Sequence, residues 1–291
     1  MLSLRKIRDV AMENISKYEG GFQKVSNTIK ENMGIVKSYA RPSFNTSAEV
    51  AIKVITDRRK SMFEICAERI QKPFPEFCEL ENKQQLSLII QDKTSPEPEY
   101  ITLMQRRVDF SNRFIDGLGL NYFSLSMTNE TIGNTHYGKC HVILKSDAIK
   151  DAVALKHDSL RHYYDDETGE FMELMCFEDL LIYEHIDWLI WDKLKDSSLL
   201  NSTEEIIQSI ELEVKNNDKP LEVMTSEKID GTRIAAVLFP RKDYDFLTIE
   251  LNIRKVTGGI LTPKEEEDLL NFAALQNVLV RYKIPLKIVE S

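Results

Sequence analysis

From Leu4 to about Lys37 apolar residues return every third or fourth position, at Ile7, Val10, Ala11, Ile15, Tyr18, Phe22, Val25, Ile29 and Ile35. This spacing predicts two helices, with a break at Gly20-Gly21. The polar run at 41–47 (RPSFNTS) reads as a loop in which Ser47 caps a third helix over 48–70, with Val50, Val54, Ile55, Met62, Ile65 and Cys66 facing inward. Pro73 and Pro75 stop that helix. Residues 85–91 (QLSLIIQ) suit a short strand or a buried helical turn, and 92–100 (DKTSPEPEY) is a polar loop. Few core contacts cross such a stretch, so it divides a helical N-terminal region, 1–92, from an α+β domain over 100–291.

The second part opens with a helix over 100–115 that sets Met104, Val108 and Ile115 against Arg106 and Arg113, with Arg107 nearer the seam. Alternation then predicts strands over 121–127 (NYFSLSM) and 139–145 (KCHVILK), joined by a polar connection that places His136 and Tyr137 at the mouth of a sheet. A short helix over 146–155 follows. Next come a short strand over 171–177, in which Glu173 shares a face with Phe171, Met175 and Phe177, and an amphipathic helix over 178–194. The last third predicts a helix over 204–217 capped by Thr203 and a short strand at 221–224. A hairpin of strands 232–239 and 246–256, a helix from Thr262-Pro263-Lys264-Glu265 to about Tyr282, and a strand at 283–289 complete it. The fold class is therefore α+β: a helical N-terminal region followed by a mixed, mainly antiparallel sheet with packed helices.

Composition narrows the partners. The chain has 291 residues, 42% of them apolar, enough for a sizeable core. Its formal charge of −9 argues against nucleic acid as the main partner, because a phosphate-tracking face needs a basic stripe. A protein partner fits the acidic surface and the tryptophan-bearing helix better. The four cysteines have no CxxC spacing and read as reduced thiols. With no signal-type apolar core and no run of 18 uncharged apolar residues, neither a signal peptide nor a membrane span is expected. A cytoplasmic location follows, or delivery into a host cell by a route that leaves no hydrophobic mark.

Chemistry-bearing side chains concentrate between 121 and 196, which holds all five histidines and both tryptophans. No HExxH or regular His/Cys spacing occurs, so His157 and His162 read as members of a hydrogen-bonded surface loop, and no metal is expected. Trp188 and Trp191 read as core or as a partner-facing ridge. Glu173 is a carboxylate in apolar company, which is paired, catalytic or turned to solvent at a sheet edge. Cys140 with His157 or His162 as base would make a thiol nucleophile if the fold brought them together. Phosphate-binding glycine loops and the GxSxG elbow are missing.

The stretch YFSLSMTNETIGNTHYGKCHVILKSDAIKD, followed by KHDSL, resembles bacterial toxin-type and phage-resistance proteins of the ADP-ribosyltransferase class. The matching pieces are Ser124, Ser126, Tyr137, Gly138, the strand at 141–145 and Asp158-Ser159, within about 40 of the 291 residues. The resemblance implies NAD held in the cleft of a split sheet, and a glutamate that stabilises the positive charge developing at the ribose C1 as nicotinamide leaves. It makes Glu173 the catalytic carboxylate, adds His136 and Tyr137 as positioning residues of the active site, and gives Arg107, Gly138 and Ser126 to the cofactor. The chain departs from the class in lacking an R…STS…ExE set, and FMELM offers one glutamate where the class has a pair. Two competing expectations come from other classes: a non-enzymatic protein-binding module of immunity, antitoxin or adaptor type, and a cysteine-dependent hydrolase or deamidase.

Overall fold

The computed structural model describes residues 5–91, 93–114, 121–128, 132–133, 135–173, 176–194, 202–215 and 221–290. Two helices open the chain, α1 (Arg5–Phe22) and α2 (Asn27–Tyr39), and lead into strand β1 (Arg41–Thr46). Four short helices follow, α3 (Ala48–Ile55), α4 (Met62–Arg69), α5 (Phe74–Cys78) and α6 (Asn82–Ile90), then the longer α7 (Pro98–Phe114). The middle of the chain carries β2 (Asn121–Ser126), β3 (Cys140–Leu144), β4 (Ala152–Leu155), α8 (Ser159–His162), β5 (Tyr164–Asp165), β6 (Glu170–Phe171), β7 (Leu181–Ile182) and α9 (Ile186–Leu194). The last part holds α10 (Thr203–Lys215), β8 (Glu222–Thr225), β9 (Ile234–Pro240), α11 (Arg241–Asp245), α12 (Leu251–Val256), α13 (Pro263–Tyr282) and β10 (Leu286–Val289).

Eight strands form one sheet in the order β10-β9-β3-β1-β2-β8-β4-β7. Every neighbouring pair is antiparallel except β10 with β9, which are parallel and joined through the C-terminal helices. The α+β class and the helical opening are thus as the periodicity predicts. One face carries Phe44, Phe123, Leu125, Val142, Val223 and Val237, and packs under residues of α2, α3, α9, α10 and α13. On the other face, Val153, Leu155 and Met224 meet Ile7 and Ala11 of α1 and Phe110 and Phe114 of α7. Each such side chain taken fully out of water contributes about 1.5–3 kcal/mol, so these two layers hold the molecule together. Among the described residues no helix is long and apolar enough to cross a membrane.

Several elements depart from the sequence expectation for identifiable reasons. The expected loop at 41–47 is β1, an inner strand paired on both sides. Its polar residues Ser43 and Asn45 face away from the main core, opposite Ser124 and His141, so the alternation is real but lacks a second apolar face. Pro42 is tolerated because only β2 pairs there, β3 joining from Ser43 onward. The helical opening therefore supplies a strand to the middle of the sheet. The expected helix over 48–70 is two: α3 ends at Thr56, Asp57 turns with φ 58°, and a capping box of Ser61 and Glu64 restarts the chain. Residues 85–91 fall mostly in helix α6 rather than in a strand.

The expected helix over 146–155 contains β4 instead, whose four buried residues pair with β8 and β7. Between two strands, pairing outweighs the helical preference of two alanines. Of the expected strand at 171–177, Phe171 is the one described residue found in a strand, paired with Tyr164, while Leu174 and Met175 lie outside the described residues. Residues 178–194 begin with β7 and a single 3-10 turn before α9. The expected hairpin is absent: after β9 the chain is helical through Val256. Leu247 and Leu251, four apart, are buried while Ile249 and Ile253 are exposed, a helical pattern that a strand would have placed on one face. At α10 the cap is Ser202, whose hydroxyl accepts from the Glu205 backbone N–H at 3.2 Å, one residue before the predicted Thr203.

Candidate functional site

The chain places charge where the fold leaves room for it. The linker between α3 and α4 carries Arg58-Arg59-Lys60, and α7 carries Arg107. They meet at the start of β2 around a cavity of about 500 Å³, which Asn121, Tyr122, Ser111 and Lys228 also line. Arg59 donates from Nη1 to the Asn121 side-chain oxygen at 3.3 Å, and the Arg107 guanidinium lies over the Tyr122 ring, 5.1 Å from its centre. Desolvation first, and the Arg107 charge second, lower the pKa of Arg59.

The two carboxylates of the lining are already engaged. Asp57 pairs with Lys228 at 2.8 Å, and Glu64 accepts from the Ser61 backbone N–H at 2.6 Å in the capping box. Among the described residues no carboxylate forms an ion pair with Arg58, Arg59 or Arg107. Two guanidiniums that repel each other across a cavity form a site that gains from an anion, and the arginine fork suits phosphate or carboxylate oxygens.

Beside Tyr122 lies a half-buried acidic group. Glu222 of β8 accepts from the Ser159 backbone N–H at 2.7 Å. Burial, and then the charge of Asp158, push its carboxyl up to about 8, while Ser159 and Arg107 pull the other way. Burial also raises the Tyr122 hydroxyl well above its ordinary value. Asp158 is held in place by accepting from the backbone N–H groups of Leu160 and Arg161, at 2.9 and 3.1 Å. The fold thus gathers Arg107 and Asp158-Ser159, both named from sequence, around a glutamate that sequence reasoning passed over. Glu222 sits in a four-residue strand, and its only signal was a charge inside an apolar run.

The other residues expected in the site lie elsewhere. Glu173 is 71% exposed and accepts from Arg113 Nη2 at 2.6 Å, while Arg113 Nη1 donates to the Phe171 carbonyl at 2.8 Å. It is an ion-paired surface carboxylate outside any strand. Tyr137 is 62% exposed on the 3-10 turn Thr135–Tyr137, which carries His136 beside it in the chain. Gly138 is pressed against β1: its φ is 133°, a Cβ would overlap the Thr46 backbone, and its carbonyl accepts from Asn45 Nδ2 at 3.2 Å. Ser126 is buried, and its hydroxyl donates to the Thr128 carbonyl at 2.7 Å. Of these expected contacts only Arg107 lines the arginine cavity.

Cys140 is buried in β3, and burial pushes its thiol up to about 12, the opposite of an activated nucleophile. His157 and His162 stack on each other 4.1 Å apart and line a second concavity, of about 830 Å³, together with Cys176, Asp179, Trp188 and Trp191. Cys140 is not among its lining residues. Among the described residues no three His, Cys, Asp or Glu side chains converge as a metal site would require. Compared with models of known protein families and with curated proteins, the chain matches none.

Proposed function

We propose that the protein binds a phosphate-bearing small ligand of the nucleotide class in the arginine cavity. The observation that carries this reading is the pair Arg59 and Arg107, which share one cavity without a carboxylate partner among the described residues. An anion between them relieves their repulsion, and a cavity of about 500 Å³ is in the range of small-ligand sites. Tyr122 and Phe63 add aromatic surface beside the charge. NAD is the first nucleotide to test, because the toxin-class resemblance implies it.

The role is binding rather than transfer. A transferase of that class needs a free carboxylate at the reacting sugar, and Glu173 is committed to Arg113. Glu222, whose carboxyl feels the Arg107 charge, is pushed up to about 8 by burial and by Asp158, which suits hydrogen bonding better than charge stabilisation. Calorimetric titration with NAD, ADP-ribose, ADP and inorganic phosphate, alongside a nicotinamide-release assay, tests both statements. Binding of at least one nucleotide is expected, weakened about tenfold or more in Arg59→Gln and Arg107→Gln, since each removes a charge-assisted hydrogen bond. Undiminished binding in both variants would sink the reading. Nicotinamide release that disappears in Glu173→Gln would restore the transferase.

A further inference from the structure

The face of α13 that points away from the core is bare of charge over most of its length. On the inner side Phe272, Leu275 and Leu279 are buried in the main layer. The opposite row, Glu266, Leu270, Ala273, Asn277 and Val280, recurs at alternating steps of four and three and is exposed throughout, Leu270 at 70% and Val280 at 78%. From Leu269 to Val280 the helix has no charged residue, in a chain of which 29% is charged. A helix face that meets water normally carries charge, and steps averaging 3.5 residues mark the seam along which one helix lies against another.

The charges of α13 sit at the two ends of that row. Lys264 pairs with Asp268 at 2.8 Å, and Glu265 with Arg254 at 2.7 Å. Glu266 and Glu267 at one end, and Arg281 and Lys283 at the other, are exposed and form no ion pair among the described residues. A second helix of this sequence laid alongside in the same direction would set acid against acid and base against base. Laid in the opposite direction, it sets acid against base at both ends and also opposes the helix dipoles.

We propose that two copies of the chain associate through this face, α13 against α13, antiparallel about a two-fold axis. Such a contact sets residue i against j and j against i. With Leu270 opposite the partner's Val280 and Ala273 opposite the partner's Asn277, Glu267 comes level with the partner's Arg281, once on each side of the axis. Ala273 and Ala274 lie near the axis, where small side chains let the two backbones approach. A helix of 20 residues is about 30 Å long. One such face is at the small end of specific interfaces, so the dimer is reversible rather than obligate. The inference does not rest on ligand binding in the arginine cavity.

Sedimentation velocity of the full chain over a concentration series tests this, with reversible monomer–dimer behaviour expected for the native protein. Leu270→Glu puts a charge into the seam and should weaken the dimer about a hundredfold or more. Met12→Glu, at a half-exposed apolar residue of α1 on the other side of the sheet, should leave it unchanged. Glu267→Arg and Arg281→Glu should each weaken it about tenfold, because each brings like charges together at two places. The variant carrying both exchanges restores acid against base and should recover most of the native affinity, which a merely structural role for either residue would not produce. All four positions are at the surface, and thermal melting of each variant confirms that it folds. The proposal is overturned by a native chain that stays monomeric at every concentration, or by a double exchange that binds no better than its two parents. A dimer that survives Leu270→Glu, as one formed edge to edge through β10 would, overturns it equally.

Discussion

The arginine cavity and the aromatic groove are two concavities of one protein, and they are lined by different chemistry. The cavity gathers charge: Arg58, Arg59 and Arg107 line it, and its two acids serve other partners. The groove gathers rings, among them the stacked His157 and His162. Charge attracts at a distance and is screened by salt, whereas stacking is short-ranged and largely blind to it. Raising salt from low to high ionic strength should therefore weaken a ligand of the cavity.

The largest effect that would break this comparison is expected at Phe177. Its ring is buried, stacked on Tyr163 and edge-on to Phe114 at 5.5 Å, so it joins the wall of the groove to the core under α7. Phe177→Ala should cost about 3–5 kcal/mol of stability, read as a lowered denaturation midpoint. Where the variant remains folded, nucleotide binding in the cavity should persist. Loss of that binding in a folded protein would mean that the two concavities are not independent.

Next in size is the cavity's own charge. Replacing either Arg59 or Arg107 by glutamine should cost about 1.5–3 kcal/mol of ligand affinity. Because the two cations repel, each single change should also leave the apo protein as stable as before or slightly more so. A thermal shift of the unliganded Arg59→Gln protein checks this: a marked drop would make the pair structural.

How much of this could be read from the chain depends on what kind of signal each part leaves. β3 and α13 were legible because local pattern and final packing agree: CHVIL is buried throughout, and Thr262 with Glu265 forms the capping box that their spacing announces. β1 and β4 were not, because Arg41–Thr46 is polar on one side and Ala152–Leu155 has no strong strand former beyond one valine, so their partners make them strands. The candidate sites were harder still. Arg107 could be named as an anion contact, but its companion Arg59 is 48 positions away in sequence and meets it only through tertiary structure. The histidine-rich segment supplies His157 and His162 to the groove, but the lysine, tyrosine and phenylalanine that α1 adds to the same wall come from more than a hundred positions earlier, which no spacing records.

A pH series separates two titratable groups beside these regions by sign. The folded pKa of Glu222 is raised, so its contribution is fully present below the ordinary glutamate value and is lost as pH climbs to about 8. The folded pKa of His141, whose Nδ1 lies 2.8 Å from the Asn45 side-chain oxygen, is lowered to about 4 by burial, so its contribution is present above the ordinary histidine value and is lost as pH falls through that window. Glu222→Gln keeps the shape without a charge to bury, and near pH 8–9 it should be more stable than the native protein by roughly 1–2 kcal/mol, with the difference closing toward pH 5. A difference that grew toward acid would reverse the sign and show Glu222 to be an ionised partner of Arg107.

The smallest expected effect is also the one that most sharpens the choice between binding and transfer. Glu173 and Arg113 form an ion pair in which the carboxylate is largely in water, and pairs of that kind contribute about 0.2–1 kcal/mol. Arg113 keeps its second anchor, the Phe171 carbonyl, when the carboxylate is removed. Glu173→Gln should therefore shift the denaturation midpoint slightly, bind nucleotide in the cavity with unchanged affinity, and respond to salt as the native protein does. A carboxylate at a reacting ribose would behave otherwise, since losing charge stabilisation of a transition state lowers turnover by orders of magnitude while leaving stability alone. Thermal melting and nicotinamide release on the same pair of proteins thus give opposite patterns for a surface ion pair and for a catalytic glutamate.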